Sequence, residues 1–387
     1  MRETDLVRSV ARVDLDALSA NVAVLRRRAG AAQLLAVVKA DGYGHGLLPS
    51  AAAAVRGGAD WLGVAFLEEA LALRAGGLDV PVLAWLFSPS EDLAPAVSAR
   101  VDLGIYSVAE LARAQQAAQH AGTTARLHLK ADTGLSRGGA TPEAWPELCE
   151  AAAKAQADGS VTVVGVWSHL AVAEAGPGHA TNRAQLARFT RAVEVAAAHG
   201  LAPEVRHLAN SAALLTDPAT HFDLVRPGAA VYGLSAAPAF GTPQDFGLRP
   251  VMSVQAEVAL TKRVPAGSGV SYGHRYTTAA ETTLALVPLG YGDGVPRAAS
   301  GTGPVLVGGR VRSVAGTVAM DQFVVDVGDD PVRAGDPVVL FGSADDGEPT
   351  AQDWATATGT IDYEIVTRLG SRVPREYVGG PVGGDVA

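Results

Sequence analysis

Eight short apolar runs begin near Leu34, Trp61, Val80, Val101, Ala125, Val161, Glu204 and Asp223, and helical patterns fill the intervals between them. The helical segments place apolar residues three or four apart, as at Leu186, Phe189, Val193 and Ala196, and several close on glycine (Gly76-Gly77, Gly122, Gly200). Few architectures accept such an alternation, because each helix must return the chain to a parallel neighbouring strand. Eight units within roughly 210 residues predict an α/β fold of the (β/α)8 TIM-like barrel type. A doubly wound open sheet is the alternative, but it would be unusually wide. Its dinucleotide fingerprint is also missing, since Gly42-x-Gly44-x-Gly46 is not GxGxxG.

The pattern changes near residue 240. The turn-rich segment Ala239-Phe240-Gly241-Thr242-Pro243-Gln244 reads as a domain boundary. Beyond it the apolar period is two: Val251 to Lys262, Thr282 to Pro288, Pro304 to Val307, Arg310 to Val314 and Phe323 to Val327. Gly308-Gly309 is a hairpin signal and Thr350-x-x-Asp353 a capping box. At the other end, Asp14 is placed to cap a helix through Leu18, Val22 and Leu25, closed by Arg26-Arg27-Arg28 and Gly30. The expected division is a barrel over residues 14–240 and a C-terminal, mostly-β domain over 241–377. Residues 6–13 could form a strand belonging to the second domain, and a disordered tail is expected over 378–387.

Composition narrows the class of function. With 48% hydrophobic and 18% charged residues among 387, a large core is assured. A net charge of −9 argues against nucleic acid or an anionic membrane as the main partner. One cysteine, Cys149, suits a reducing cytoplasm and reads as a small core residue of a helix. No apolar h-region follows Met1-Arg2-Glu3-Thr4-Asp5, and no uncharged run reaches membrane-spanning length, so neither a signal peptide nor a membrane anchor is expected. Histidine spacing offers no metal motif, and no GxSxG elbow or Walker loop is present.

In a (β/α) barrel, chemistry sits at the C-terminal ends of the strands. The first predicted strand ends in Lys39, the fifth in Lys130 before Asp132-Thr133-Gly134-Leu135-Ser136-Arg137, and the sixth in Ser168-His169. The seventh ends in Asn210-Ser211, and the eighth in Arg226 before Pro227-Gly228-Ala229. Each alone reads better as something ordinary: Lys130 as a solvated strand end, His169 as a core histidine, Arg226 as a surface residue. Together they predict an anion-binding mouth, with Ser211 and the Gly228 and Ala229 amides suited to a phosphate. A desolvated Lys39 would be the nucleophile for Schiff-base chemistry.

Val38-Lys39-Ala40-Asp41-Gly42-Tyr43-Gly44-His45-Gly46 resembles the cofactor-lysine signature of the bacterial alanine racemase family. Lys130-x-Asp132-Thr133-Gly134-Leu135-x-Arg137, Ser168-His169, Ala209-Asn210-Ser211, Val225-Arg226-Pro227-Gly228, Val270-Ser271-Tyr272-Gly273, Gly290-Tyr291-Gly292-Asp293-Gly294, Met320-Asp321 and Tyr363-Glu364 follow in the family's order. The resemblance spans roughly residues 8 to 377, and Leu135 and Ser136 depart from the Met and Gly of some members.

The resemblance implies interconversion of L- and D-alanine on pyridoxal phosphate, bound to Lys39 as an aldimine, and supply of D-alanine for peptidoglycan. It gives Tyr43, Ser211, Gly228, Ala229 and Tyr363 to the phosphate, and Arg137 to the cofactor's phenolic oxygen and the substrate carboxylate. His169 would link Arg226 to Tyr272. Lys130, carbamylated in many members, would steady Arg137. Met320, through its amide, would meet the substrate with Asp321, while Tyr291 and Tyr363 narrow the entrance. Tyr272 and Met320 would come from a partner subunit of a homodimer.

Racemisation removes a Cα proton from one face and returns one to the other, so two opposed groups are expected: Lys39 and Tyr272. A phenol, with an ordinary pKa of about 10, needs neighbouring cations to act as a base. Arg226 speaks against the related decarboxylases, which place a carboxylate beside the ring nitrogen and use a cysteine with no counterpart here. A non-catalytic pyridoxal-phosphate barrel would lack the second domain. A racemase for serine or a broader range of amino acids is the remaining alternative.

Overall fold

A computed structural model of the chain describes residues 8–380. The first five residues, read above for a signal peptide, residues 6–7 of the first strand candidate and residues 381–387 of the tail lie outside the described residues. The chain divides into two compact units. One comprises residues 18–42 and 47–248; the other holds residues 8–17, 43–46 and 249–380.

The strands are numbered in chain order. β1 (Ser9–Asp14) belongs to the second unit; the first unit holds β2 (Gln33–Val37), β3 (Trp61–Val64), β4 (Val82–Ala84), β5 (Val101–Ile105), β6 (Ala125–Lys130), β7 (Val161–Trp167), β8 (Val205–His207) and β9 (Leu224–Val225). These eight strands pair in parallel in the order β8-β7-β6-β5-β4-β3-β2-β9. Between the two ends of that order, Asp223 N–H donates to Arg206 O (3.0 Å) and Arg226 N–H to Ala209 O (2.9 Å), which closes the sheet into a barrel. Residues of β3, β4 and β5 are buried throughout, because one face of each meets the barrel interior and the other the covering helices.

Helices follow the strands as expected. Asp14 Oδ1 accepts from Asp16 N (3.0 Å) and Ala17 N (2.9 Å), capping helix Leu15–Ala29. In helix Ala180–Ala198 the buried stripe runs through Asn182, Gln185, Phe189, Ala192 and Ala196, so two polar residues stand on the inner face beside the apolar ones. Asn182 Nδ2 donates to Val172 O (3.0 Å) and Gly176 O (2.7 Å), which satisfies the amide nitrogen of one of them.

The second unit is built on a six-stranded sheet. Its strands include β10 (Met252–Glu257), β15 (Pro304–Val307), β16 (Arg310–Ser313), β18 (Pro337–Phe341) and β19 (Arg375–Val378), in the order β16-β15-β18-β10-β1-β19. β1 thus pairs antiparallel with β10 and parallel with β19. A three-stranded sheet joins β11 (Leu260–Val264), β14 (Thr282–Val287) and β17 (Phe323–Gly328), and β12 (Gly269–Val270) pairs with β13 (Tyr276–Thr277). The run Val251 to Lys262 is therefore two strands in two sheets. Val258 N–H donates to Asp336 O (2.9 Å) and Ala259 N–H to Leu286 O (2.8 Å), so the chain changes partners there, and the alternating burial of β10 gives way to the largely exposed β11.

Local turn chemistry follows the sequence. Gly308 and Gly309 take φ of +58° and +72°, the conformation a two-residue type I′ hairpin requires. Thr350 Oγ1 accepts from Asp353 N (3.1 Å) while Asp353 Oδ2 accepts from Thr350 N (2.7 Å), the reciprocal capping box of helix Ala351–Thr358.

Gly165 on β7 lies beside the buried His128 of β6, where the two strands shift register. A Cβ at Gly165 would stand 2.2 Å from His128 Nδ1. We expect Gly165→Ala to destabilise the fold by about 1–3 kcal/mol, read as a lower urea midpoint. An unchanged midpoint would contradict the packing described.

Candidate active site

After β2 the backbone enters a left-handed turn. Ala40, Asp41, Gly42 and Tyr43 all have φ between +53° and +59°. Each non-glycine residue in that region costs about 1–2 kcal/mol, so the surroundings must hold it. Ala40 N–H donates to Glu69 Oε1 (2.6 Å), Leu47 N–H to Asp41 Oδ1 (2.8 Å) and Gly42 N–H to Val38 O (2.9 Å). Glu69 Oε2 takes the amides of Ala65 (3.1 Å) and Phe66 (3.2 Å), tying the loop after β3 to the Lys39 turn. Gly42 has no room for a side chain, since a Cβ there would lie 2.7 Å from Ser50 Oγ.

Lys39 heads this turn, half-buried. Burial lowers its pKa, Arg137 lowers it further, and Glu69 opposes both. Lys130 ends β6, buried, with Nζ 4.8 Å from the Tyr106 ring centroid and 4.7 Å from that of Trp167. Burial, then Arg137 and Arg226, push its pKa down to about 8 against the pull of Asp132.

Arg226 follows β9 and is buried with no carboxylate among its hydrogen-bond partners. It donates to Ser168 O (2.8 Å), Leu208 O (3.3 Å), His169 Nδ1 (3.3 Å) and His207 Nδ1 (3.1 Å), with its guanidinium 5.0 Å from the Trp167 centroid. Burial pushes its pKa down to about 9, which still leaves it charged at neutral pH. His169 is held neutral, its pKa well below the usual range through burial first, then Arg226, Arg137, Lys130 and Lys39. With Nδ1 accepting from Arg226, its proton resides on Nε2.

Arg137 closes a loop folded around one carboxylate. Asp132 Oδ1 accepts from the amides of Gly134 (2.9 Å), Leu135 (3.1 Å) and Ser136 (3.2 Å). Thr133 Oγ1 and Ser168 Oγ lie 2.8 Å apart, so this loop is joined to the end of β7. Gln185 Nε2 donates to His169 O (3.0 Å) and Thr133 Oγ1 (3.2 Å), which accounts for the second polar residue on the inner helix face.

Ser211 opens helix Ser211–Thr216, and its Oγ accepts from Gly228 N (2.8 Å) and Ala230 N (3.2 Å). With its lone pairs directed at two amides, the hydroxyl proton is left to donate outward. Gly228 therefore acts on this locus through Ser211, and Ala229 is the next amide of the same turn. Lys39, Lys130, Arg137 and Arg226 form a cationic cluster around His169, opposed within it by Glu69 and Asp132. That donor set fits an anionic group carrying both a phosphate and a phenolic oxygen, as pyridoxal phosphate does.

The other predicted residues belong to the second unit. Tyr43 lies edge-on to Tyr363 with ring centroids 6.2 Å apart, and burial pushes the Tyr43 phenol up to about 12. Tyr291 N–H donates to Ala319 O (3.1 Å) and Gly292 N–H to Met320 O (2.8 Å), which joins the turns bearing Tyr291 and Met320. The buried Asp293 accepts from Gly290 N (2.9 Å) and pairs with Arg372 (3.1 Å), and Arg372 pairs in turn with Asp321 (2.7 Å). Tyr272 follows Ser271 (φ +60°) and is 73% exposed; Met320 is 54% exposed. Thr317 ties the Tyr272 turn down, donating to Tyr272 O (2.8 Å) and accepting at its carbonyl from Ser271 Oγ (2.6 Å).

Glu69, Gln185 and Arg372 escaped the sequence reading because the partners that give them their roles, Ala40, His169 and Asp293, lie far from them in the chain. Asp102 and His128 carried a signal that could have been used: a polar residue inside an otherwise apolar strand. Among the described residues no group of three or more His, Cys, Asp or Glu could hold a metal ion. No described helix is long and apolar enough to cross a membrane.

Comparison with known proteins matches the "Alanine racemase, N-terminal domain" family over residues 13–236 and the "Alanine racemase, C-terminal domain" family over residues 251–377. An alanine racemase of Frankia casuarinae is 62% identical over 372 residues, covering 96% of this chain and 97% of its own. The crystal structure of alanine racemase from D-cycloserine-producing Streptomyces lavendulae superposes with a TM-score of 0.96 at 55% identity, covering 98% of this chain and 99% of its own. A Bacillus anthracis alanine racemase solved with bound L-Ala-P gives a TM-score of 0.87 at 32% identity, covering 97% and 96%. A barrel with this mouth, followed by this β domain, belongs to the alanine racemase family.

Proposed function

We propose that the chain racemises alanine by a two-base mechanism on pyridoxal phosphate, in a homodimer that shares its active sites. The family assignment carries the activity, interconversion of L- and D-alanine. The names of the relatives do not favour the alternative of serine or a broader range. Supply of D-alanine for peptidoglycan in the cytoplasm is the role we assign to it.

Lys39 would carry the cofactor, with Ser211, the Gly228–Ala229 turn, Tyr43 and Tyr363 at its phosphate. Bound there, pyridoxal phosphate supplies an electron-withdrawing ring that acidifies the Cα–H of an attached amino acid. The cation cluster is the observation that carries this reading, because positive charges gathered on the buried Lys130 and Arg226, the half-buried Lys39 and the exposed Arg137 favour an anion among them. Arg226 can only donate, so it would leave the ring nitrogen unprotonated and moderate the electron withdrawal. That favours proton return over side reactions.

Lys39 Nζ is the base on one face: its lowered pKa favours the free amine that can take a proton. Tyr272 of the partner subunit serves the other face. The exposure of Tyr272 and Met320 supports their completing a second chain's site. His169 Nε2–H would donate to the Tyr272 oxygen, stabilising its deprotonated form while Arg226 holds the imidazole from behind. Arg137 and the Met320 amide would hold the substrate carboxylate, with Asp321 and Tyr291 lining the approach. Lys130, held near a pKa of about 8, has the free-amine fraction that carbamylation requires, and a carbamate there would give Arg137 an anionic partner.

L-alanine incubated with the purified protein should become a racemic mixture by chiral analysis; unchanged L-alanine would sink the proposal. Borohydride reduction should fix the cofactor on the Lys39 peptide, and Lys39→Ala should lose that adduct. Tyr272→Phe should slow proton removal from L-alanine by about 10²- to 10⁴-fold and affect D-alanine less; equal slowing from both sides would exclude the opposed pair. Glu69 raises the Lys39 pKa, so Glu69→Gln should move the Lys39 limb of the kcat profile, read once substrate has freed the amine, to lower pH. Movement to higher pH would contradict the assigned coupling.

A further inference from the structure

Asp102 on β5, His128 on β6 and His207 on β8 have no part in the chemistry above, yet each is at most 1% exposed. They form one hydrogen-bonded line through the barrel interior to Arg226. Asp102 Oδ2 meets His128 Nε2 (3.1 Å), His128 Nδ1 meets His207 Nε2 (2.9 Å), and His207 Nδ1 meets Arg226 Nη1 (3.1 Å). Aromatic walls enclose the line: Trp61 lies edge-on to His128 at 5.5 Å, and Trp167 stacks on His207 at 5.6 Å with 6° between the planes. The missing side chain of Gly165 leaves the space His128 occupies.

The chemistry of the two ends dictates where each proton sits. A guanidinium only donates, so His207 Nδ1 must accept. His207 is held neutral by burial and then by Arg226 and His128, which leaves its one proton on Nε2, facing His128 Nδ1. His128 Nδ1 must then accept, so its proton resides on Nε2 and is donated to the Asp102 carboxylate. A second proton on either ring would set N–H against N–H. Arg126 fixes the carboxylate from the other side, Nε to Oδ1 at 2.8 Å and Nη2 to Oδ2 at 3.3 Å. Burial pushes the Asp102 pKa up, but the bonds from His128 and Arg126 outweigh it and hold the carboxyl below its usual range.

We propose that Asp102, His128 and His207 are positioning residues: Asp102 selects the Nε2–H tautomer of both histidines, and that order presents an acceptor to Arg226 and fixes it as a donor at the barrel mouth. The consequence for a cofactor nitrogen rests on the function proposed above; the proton order itself does not.

Histidine-¹⁵N NMR of the holoenzyme near neutral pH tests it. His128 and His207 should both read as neutral rings protonated on Nε2; a charged ring or an Nδ1–H tautomer at either would overturn the proposal. In Asp102→Asn the amide oxygen must take the Arg126 donors, so the amide N–H faces His128 Nε2. Both ring protons should then move to Nδ1, which opposes donor to donor at Arg226, and kcat/KM should fall by about 10- to 100-fold, the usual scale for outer hydrogen-bond partners. A folded Asp102→Asn protein with unchanged ring signals would overturn the role of Asp102. Should that variant not fold, the wild-type spectrum alone decides. Racemisation without the expected tautomers would refute this inference and leave the function standing. The expected tautomers in a protein that does not take up pyridoxal phosphate would do the reverse.

Discussion

Burying Arg226 without a carboxylate partner is the constraint on which the barrel unit turns. Removing a guanidinium from water costs several kcal/mol unless hydrogen bonds replace the lost hydration. The chain provides them from the carbonyls of Ser168 and Leu208 and from two imidazoles, while the Trp167 ring lies against the guanidinium. Each of these partners is itself held in place, His169 through Gln185 and His207 through the line to Asp102. An ion pair would have satisfied the arginine more simply. It would also have set an acceptor beside a residue that otherwise offers only donors at the barrel mouth.

The same arrangement explains the weak basicity of its neighbours. Lys39, Lys130 and His169 are each lowered first by burial and then by surrounding cations. A cluster of this kind gains stability from an anion that enters it, lowers the basicity of its two amines and holds the His169 imidazole neutral. Glu69 stands against the trend. Its carboxylate clamps the left-handed turn through Ala40 and partly offsets the lowering at Lys39, so one side chain governs both the position and the basicity of the lysine.

Much of this was legible in the sequence because the barrel repeats. Strand starts read from apolar runs fall within two residues of those in the fold, and the strand-end rule gathered Lys39, Lys130, His169, Ser211 and Arg226 at one end of it. Local turn chemistry was equally readable at Asp14, Gly308-Gly309 and Thr350. What stayed hidden depends on contacts between distant segments. The apolar alternation from Met252 runs on in sequence to Leu260 across a change of sheet, yet Leu260 is exposed in the second sheet, because periodicity does not report which strand lies alongside. Glu69, Gln185 and the pair Asp102–His128 serve residues on other strands, and a short segment of sequence carries no record of that. The left-handed run at Ala40, Asp41 and Tyr43 was hidden as well, since only Gly42 among the four is a residue that favours it.

We propose that Arg226, a donor-only residue held in one orientation, faces the cofactor ring. Reconstituting the protein with pyridoxal phosphate ¹⁵N-labelled in the ring and recording its chemical shift tests that claim directly. An unprotonated ring nitrogen at neutral pH is the predicted result. A protonated nitrogen would require an acceptor that Arg226 cannot supply, and would contradict the account.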